Sequence, residues 1–114
     1  MVRLDIKGMP TLEVNHKLRD LVQKDDEIVI ENPHSVHNFA TALKGKATIT
    51  VEGSTGFYTG GFLRGPTLII KGNTGLYTGD NMDAGEIIVE MKVLVTLREL
   101  KCMRAGTQPQ DRLA

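Results

Sequence analysis

The sequence contains no tryptophan, a single cysteine and no excess of charge of either sign. Lysine and arginine total 14, as do aspartate and glutamate, so no global attraction to nucleic acid or to an anionic membrane is predicted. The lone Cys102 excludes an internal disulfide framework and suits a reducing cytoplasm. No apolar run is long enough to span a membrane, and the N-terminus lacks the apolar core of a signal peptide. These absences predict a cytoplasmic protein of one compact domain.

Glycine, in contrast, is abundant, and its placement is regular. Residues 53–60 have the sequence GSTGFYTG, and residues 72–79, nineteen positions later, have GNTGLYTG. Six of these eight positions are identical. A second series of glycines recurs at intervals of 20, 20 and 21 residues, namely Gly45, Gly65, Gly85 and Gly106. The chain therefore repeats with a period near twenty residues.

Short β-branched runs alternate with these glycines, at residues 47–51, 67–70 and 86–95. One such run and one glycine-rich stretch per repeat are typical of a solenoid, in which equivalent strands of successive coils pair in parallel. A meander of hairpins is the competing structure, but it favours Asn-Gly or Asp-Gly turns, and the chain has neither. The pattern therefore predicts a mostly β protein with stacked coils. Glycines are predicted to turn the corners of the coils, at Gly45, Gly53, Gly56, Gly60, Gly65, Gly72, Gly75, Gly79 and Gly85.

A small α/β unit over residues 1–31 precedes the repeats. Apolar residues alternate with polar ones from Val2 to Ile6, which predicts a strand with one buried face. Thr11 is a candidate N-cap for a helix over residues 12–24, whose apolar side chains form one stripe. Residues 27–31 are predicted to form a second strand. The unit is therefore interpreted as a strand–helix–strand cap.

Pro33 marks the boundary between this cap and the repeats, which we place at residues 32–114. Proline disfavours helical geometry in the residue before it, so a turn is predicted at Asn32. The following segment, residues 36–43, has a composition that suits a short helical turn before Gly45.

Glycine-rich loops also bind phosphate, but neither of the two common patterns fits. A Walker loop needs Gly, four residues, and then Gly-Lys-Ser/Thr, whereas Gly45-Lys46 is followed by Ala47 and Ala40 occupies the first glycine position. The dinucleotide fingerprint needs Gly-x-Gly-x-x-Gly between a strand and a helix. Here the spacing is Gly-x-x-Gly-x-x-x-Gly, and a further β-branched run follows. Corner glycines explain the pattern better than nucleotide binding.

His34 and His37 are the candidates for a metal site, because three residues on a helical turn bring two imidazoles close together. No carboxylate or cysteine lies near them in sequence to complete the coordination, so surface or hydrogen-bonded histidines are the favoured interpretation and no metal site is predicted. His16 stands alone on the predicted helix and is expected to be exposed.

Two further groups of reactive side chains lack the partners that chemistry would need. Cys102 lies between Lys101 and Arg104, but no histidine is near it in sequence to form a catalytic pair. Residues 80–83 offer Asp80, Asn81 and Asp83 as oxygen ligands without the spacing of a calcium loop, and a turn explains them. No set of residues can be assigned a reaction.

The repeats resemble a known family, the C-terminal GXGXG domain of the glutamate synthase large subunit. The resemblance begins with the strand and asparagine of IEN, residues 30–32, and covers about residues 27–90. Its specific part is the order of two Gly-x-x-Gly-x-x-x-Gly motifs, each followed by a strand bounded by glycine. The same domain occurs as a separate subunit in archaeal and N-methylglutamate synthase-type enzymes. A scaffold subunit of formylmethanofuran dehydrogenase shares the repeat.

The resemblance implies a fold and a role. The fold is a right-handed parallel β-helix, single-stranded, with about 20 residues per coil. In such enzymes this domain is structural, while glutamine hydrolysis and flavin chemistry belong to other domains. We therefore expect no cofactor in this chain, FMN and an iron–sulfur cluster in a partner subunit, and docking on a flavin-containing synthase subunit and a glutamine amidotransferase subunit, or self-association.

The third coil departs from the family pattern. Glycines are expected near residues 92, 95 and 99, where the chain has Lys92, Val95 and Glu99. The sequence MRAGT at residues 103–107 then resembles MDAGE at residues 82–86. Either residues 91–114 form a strand or helix that caps the solenoid, with a helical turn possible in VTLRELKCM, or they are a truncated or altered coil.

Three functions follow from these observations. The first is a non-catalytic structural subunit of a glutamate synthase-like oxidoreductase, with a role in glutamate biosynthesis and nitrogen metabolism. The second is a scaffold subunit of a formylmethanofuran dehydrogenase-like enzyme, which differs from the first in its partner. The third is a small binding module or stand-alone metal-dependent enzyme that uses His34 and His37.

Overall fold

The computed structural model describes residues 1–92 and 98–104, and the side chains of residues 1–90. The secondary-structure elements, in chain order, are β1 (Val2–Asp5), α1 (Thr11–Leu21), β2 (Glu27–Glu31), β3 (Thr48–Glu52), β4 (Arg64–Ile70), β5 (Ala84–Lys92) and β6 (Arg98–Arg104). The predicted strands at residues 27–31, 47–51 and 67–70 correspond to β2, β3 and β4. The run predicted at residues 86–95 corresponds to β5 as far as Lys92.

The six strands form one sheet, in which their spatial order equals their order in the chain. Strands β1 to β5 pair in parallel, and β5 pairs with β6 in antiparallel orientation. Each parallel connection brings the chain back beside the strand it has just left, so that coil stacks on coil. Five parallel strands and one short helix thus form a β-solenoid of roughly three turns. This result confirms the predicted parallel β-helix.

Each coil consists of a strand and a glycine-rich return stretch, which we term an arm. Glu27 pairs with Thr48, Thr48 with Thr67 and Thr67 with Glu86, so the coils are 21, 19 and 19 residues long. Backbone hydrogen bonds between the return stretches place equivalent residues 20 positions apart in the first pair and 19 in the second. On that register, arm 1 is residues 33–43, arm 2 is residues 53–63 and arm 3 is residues 72–82.

The core consists of apolar columns that run across the coils. Alternate residues of each strand point inward, and the sheet register stacks them in two columns, Ile28–Ile49–Leu68–Ile87 and Ile30–Val51–Ile70–Val89, all 1% exposed or less. The last residue of each arm is buried against them, as Leu43, Leu63 and Met82. Burying one such side chain contributes about 1.5–3 kcal/mol, so these columns are the main source of stability.

Helix α1 covers the outer side of arm 1. Val14 and Leu18 lie in the core and are fully buried, as the apolar stripe predicts. The helix begins at Thr11 and ends at Leu21, three residues before the predicted end, and the chain continues in turns. The N-cap is Pro10 rather than Thr11, so that part of the prediction is wrong. The Thr11 hydroxyl instead donates to the His37 carbonyl at 3.4 Å.

The short helical turn predicted at residues 36–43 is wrong. This segment lies in arm 1, and three alternate residues, Asn38, Ala40 and Ala42, have φ of 55°, 60° and 56°, which no right-handed helix allows. The amides of Asn38 and Ala42 bond to arm 2, and that of Ala40 bonds to a side chain of α1. Hydrogen bonding between coils therefore overrides the helical preference of the local composition.

Strand β6 ends the parallel series. Its backbone pairs antiparallel with β5 from Lys92 opposite Arg98 to Glu86 opposite Arg104. The helical turn suggested for VTLRELKCM is therefore wrong over residues 98–103, and the alternative of a strand that covers the edge of β5 is correct there. Residues 93–97 and 105–114, including Val95 and Gly106, lie outside the described residues, as do the side chains of Glu99 and Cys102.

Candidate functional site: the stacked arms

Five backbone hydrogen bonds join each arm to the next, and a sixth comes from the residue directly after the second of the two arms. Three amides of arm 1 donate to carbonyls of arm 2, and three carbonyls of arm 1 accept bonds from amides of the next coil, all at 2.7–3.0 Å. Written as donor to acceptor, the bonds are Ser35 to Ser54, Asn38 to Phe57, Ala42 to Gly61, Gly56 to Val36, Gly60 to Phe39 and Arg64 to Leu43. The equivalent six bonds join arm 2 to arm 3 at 2.8–3.0 Å: Thr55 to Asn73, Tyr58 to Leu76, Phe62 to Asp80, Gly75 to Gly56, Gly79 to Thr59 and Asp83 to Leu63. These bonds occupy amides that a phosphate-binding loop would present to its ligand.

The arms depend on left-handed backbone geometry. In each arm three alternate residues have φ between 55° and 72°: Asn38, Ala40 and Ala42 in arm 1, Tyr58, Gly60 and Phe62 in arm 2, and Tyr77, Gly79 and Asn81 in arm 3. Seven of these nine residues carry a Cβ atom, and each such residue costs on the order of 1 kcal/mol in this region. The hydrogen bonds between arms must therefore hold a conformation that an isolated arm would not adopt.

The predicted corner glycines fall into two groups. One group lies in the arms, where Gly53, Gly56 and Gly60 of arm 2 are equivalent to Gly72, Gly75 and Gly79 of arm 3. The other group lies where an arm leads into the next strand, at Gly45, Gly65 and Gly85, with φ of 146°, 124° and 103°. The sequence repeat thus corresponds to two different stacked positions in every coil.

Close stacking explains why Gly56 and Gly75 carry no side chain. A Cβ atom on Gly56 would collide with the ring of His37 in the preceding arm. A Cβ atom on Gly75 would collide with the ring of Phe57 and lie 2.9 Å from the backbone of Gly56. In both cases the obstacle is the side chain one position further along the preceding arm. Any side chain at this position would therefore push two coils apart.

Asn15 of α1 closes the outer side of arm 1. Its side-chain Oδ1 accepts a hydrogen bond from the buried amide of Ala40 at 2.7 Å, and its Nδ2 donates to the carbonyl of Asn38 at 2.8 Å. In arms 2 and 3 the residues equivalent to Ala40 are Gly60 and Gly79, whose amides donate to carbonyls of the preceding arm. The Asn15 side chain, 8% exposed, thus makes the hydrogen bonds to arm 1 that a peptide group of a preceding coil would make.

The sequence analysis did not identify Asn15. The signal for it is weak but present: an asparagine directly follows Val14 at the margin of the apolar stripe of α1. A polar residue there is buried only when it has hydrogen-bond partners, and in a solenoid the open end of the first coil supplies them.

The two candidate histidines have different surroundings. The Nδ1 of His37 accepts a hydrogen bond from the Phe57 amide at 2.9 Å, and the His37 ring stacks on Phe57 with centroids 5.1 Å apart. His34 is exposed and lines a surface groove with Lys7 and Pro33. Across the described residues, no group of three or more His, Cys, Asp or Glu side chains is close enough to hold a metal ion.

The Asp5 carboxylate is held by two hydrogen bonds at the end of β1. It accepts them from the Asn32 side chain at 3.0 Å and from the Lys7 amide at 2.9 Å. These bonds hold the pKa of Asp5 below its ordinary value, because they stabilise the charged form, and the bond from Asn32 has the largest effect. The pair fixes the end of β1 to the start of arm 1.

Replacing Asn32 with glycine is expected to raise the pKa of Asp5 toward its ordinary value. Asn32 has φ of 57°, which glycine adopts without strain, so Asn32→Gly removes the amide side chain and preserves the backbone. Because the folded-state pKa is depressed, the stability that Asp5 contributes is present above its unfolded-state pKa and is lost as the pH falls through the folded-state value. An NMR titration of the Asp5 carboxyl carbon measures the change.

The matched control for this substitution is Asn81→Gly. Asn81 is an exposed asparagine with the same φ of 57° and lies in arm 3, away from Asp5. We expect the Asp5 titration to be unchanged in Asn81→Gly. Identical Asp5 titrations in the two variants would show that the Asn32 side chain does not perturb the carboxylate.

Large side chains form an exposed ladder along the arms. Of the seven exposed large hydrophobic side chains in the described part of the chain, five lie in arms 2 and 3: Phe57, Tyr58, Phe62, Leu76 and Tyr77. Tyr58 and Tyr77 stack with ring centroids 5.0 Å apart and an interplanar angle of 11°. The repeat of the two octets contains this ladder, but the sequence analysis considered only the glycines.

The acidic residues that were considered as calcium ligands lie at the end of arm 3. Asn81 donates to the Asp80 carboxylate at 3.2 Å, and Asp83 forms an ion pair with Arg64 at 3.4 Å. Both contacts are exposed, so each contributes little stability. Their carboxylates are thus engaged by neighbouring side chains of the same surface.

Every buried side-chain nitrogen or oxygen in residues 1–90 has a hydrogen-bond partner. The buried hydroxyl oxygen of Thr59, for example, lies 2.7 Å from the Thr55 hydroxyl and 3.0 Å from the Gly56 carbonyl, both within hydrogen-bond distance. No buried polar group of this part of the chain is therefore left for a ligand. Among its helices, none has the length and apolar character needed to cross a membrane.

Comparison with known proteins finds a relative of this chain. The chain is 29% identical over 88 residues to Protein GlxC of Rhizobium meliloti (strain 1021), an alignment that covers 75% of this chain and 39% of the relative. The chain therefore spans well under half the length of that protein. No protein-family model matches the sequence, and no solved structure matches it significantly.

Proposed function

We propose that this chain is a non-catalytic structural subunit of a glutamate synthase-like oxidoreductase complex. The observation that carries the proposal is the stack of arms, in which the glycine motif resembling the GXGXG domain is used for coil-to-coil packing. The amides and glycines of this motif serve the architecture of the chain and present no reactive group. Such a chain acts through its shape and through the surfaces that it offers to other proteins.

The similarity to Protein GlxC supports a role related to glutamate synthase. In the proposed complex, one partner holds FMN and an iron–sulfur cluster and a second partner supplies glutamine amidotransferase activity. Glutamate biosynthesis is then the reaction of the complex, and this chain contributes to its assembly. The formylmethanofuran dehydrogenase-like alternative differs in the cofactors of the partner.

The experiment that tests the proposal is affinity capture of the full chain from an extract of its source organism. We expect a co-purified protein related to glutamate synthase, whose visible spectrum has flavin bands and a broad iron–sulfur absorption. The variant Gly65→Ala, which we expect to fold poorly for the reason given in the Discussion, is the control for capture by the folded chain. His16→Ala, at an exposed position of α1, should capture the same partner as the natural sequence.

Two results would contradict the proposal. A partner that contains molybdopterin in place of flavin would assign the chain to the formylmethanofuran dehydrogenase-like alternative. A monomeric chain that binds a metal ion stoichiometrically, with binding lost in His34→Ala, would replace the structural role with a metal-dependent one.

A further inference from the structure

Within the part of the chain that the structure describes, arm 3 presents an open hydrogen-bonding edge. The hydrogen-bond pattern between arms 1 and 2 repeats between arms 2 and 3, and it identifies the groups of arm 3 that would bond to a following arm. These groups are the amides of Thr74, Tyr77 and Asn81 and the carbonyls of Gly75, Thr78 and Met82. None of these amides bonds to a residue within 1–92 or 98–104. Among the three carbonyls, that of Gly75 accepts a bond from the Thr78 hydroxyl at 2.9 Å.

Two neighbouring edges of the solenoid are covered in the described part of the chain. Asn15 satisfies the outer side of arm 1, and β6 pairs along the whole of β5 from Glu86 to Lys92. On the third coil, the open edge is thus the arm side, because β6 covers the strand side. The exposed ladder ends at this edge with Leu76, 61% exposed, and Tyr77, 40% exposed.

We propose that this edge binds an arm of the same type from a partner protein, which runs parallel to arm 3 as a fourth layer. The proposed interface continues one that the chain already makes twice, between arms 1 and 2 and between arms 2 and 3. Six backbone hydrogen bonds fix its register, and Leu76 and Tyr77 provide the apolar contact. Recognition by addition of a backbone segment to an open edge is a common mode of protein association.

The steric pattern of the arms specifies the sequence that fits. In each existing layer, a Cβ atom at this position would strike the side chain one position ahead in the preceding arm. For a fourth layer that side chain is Leu76, so the residue above Gly75 must be glycine. A large apolar residue and then an aromatic residue should follow, to continue the ladders above Leu76 and Tyr77. The partner segment is thus of the form Gly–large apolar–aromatic.

Charge favours a different protein over a second copy of this chain. Residues 72–83 contain Asp80 and Asp83 and no lysine or arginine. A second copy that used its own arm 3 would bring two more acidic side chains to the interface. A partner segment with a basic residue above Asp83, at the position that Arg64 occupies directly after arm 2, complements this charge.

This inference rests on the proposed function for the identity of the partner, but it can be tested without that partner. The probe is a synthetic peptide with the sequence of residues 52–64, EGSTGFYTGGFLR, which has the required glycine, apolar, aromatic and basic residues. Titrated into the full chain, it should shift and protect from exchange the amides of Thr74, Tyr77 and Asn81. The peptide that carries Gly56→Val should not bind, because its side chain would strike Leu76.

Variants of the full chain locate the interface. Leu76→Asp should weaken peptide binding about tenfold or more, since it places a charge at the centre of the contact. Leu12→Asp is the matched control, because Leu12 is 84% exposed on α1, and it should leave binding unchanged. Equal binding of the peptide by the natural chain and Leu76→Asp would overturn the inference, as would no binding of the peptide at all.

Two further outcomes would also overturn it. Slow exchange of the Tyr77 and Asn81 amides in the isolated chain would mean that the chain itself already covers the edge. Dimerisation of the natural chain that Leu76→Asp abolishes would make a second copy the occupant. In the capture experiment, a flavoprotein that binds Leu76→Asp as well as the natural chain would leave the proposed function intact and refute this docking surface, whereas failure to capture any flavoprotein would bear on the proposed function alone.

Discussion

Gly65→Ala is expected to destabilise the protein by about 2–6 kcal/mol, a large fraction of the stability of a small domain. Gly65 has φ of 124°, which L side chains rarely adopt, and a Cβ atom there would collide with the carbonyl oxygen of Gly45 in the preceding coil. Neither problem can be relieved by a rotamer change, since the obstacle is backbone. Urea unfolding followed by circular dichroism measures the effect as a lower midpoint or as loss of the transition.

Two other glycines separate the causes of this effect. Gly61 has ordinary surroundings, with the nearest atom 3.6 Å from an added Cβ, so Gly61→Ala should change stability by less than about 1 kcal/mol. Gly8 has φ of 74° but nothing within 4 Å of an added Cβ, so Gly8→Ala reports the cost of backbone geometry alone. If Gly65→Ala proves no more destabilising than Gly8→Ala, close contact between coils is not what requires glycine at residue 65.

Asn15→Ala should have the next largest effect, a loss of about 2–4 kcal/mol in the free energy of unfolding. The substitution removes both hydrogen bonds to arm 1 and leaves the amide of Ala40, a fully buried residue, without a partner. The measurement is again chemical denaturation, monitored by circular dichroism. Amide exchange at Ala40 provides a local readout, because its protection should fall more than that of Gly60, which has a backbone partner.

Two control variants test whether the hydrogen bonds are the cause. His16→Ala, at the exposed neighbouring position of α1, should be close to neutral. Asn15→Leu restores the volume of the side chain without its hydrogen-bonding atoms, and it should be about as destabilising as Asn15→Ala. A fully stable Asn15→Leu would show that packing, and not the closure of arm 1, is the role of this residue.

The solenoid could be predicted from the sequence because its period is a consequence of its packing. Coils stack only when equivalent residues coincide, so the β-branched runs and the glycines recur at nearly constant spacing. Arm 1 was not predicted as part of the stack, for a physical reason. It has Val36 where arm 2 has Gly56, because no further arm lies beneath it to exclude a side chain.

The candidate site was harder to predict than the fold. The two octets identify the glycines, which are needed wherever backbones approach closely. The octets do not show which hydrogen-bonding groups remain open at the end of the stack. That depends on β6, whose antiparallel pairing covers β5 but not arm 3. Asn15 is likewise a single residue without a repeat, and only the three-dimensional position of α1 reveals its partners.

The order of the strands in the sheet has a consequence for how the chain is made. The paired residues of parallel strands are 26 positions apart for Val2 and Ile28 and 21, 19 and 19 for the coils that follow. Each strand that leaves the ribosome therefore finds its partner already synthesised, with a short loop to close. Ordering can proceed from the N-terminus outward, and at each moment one newly completed coil is the template for the next.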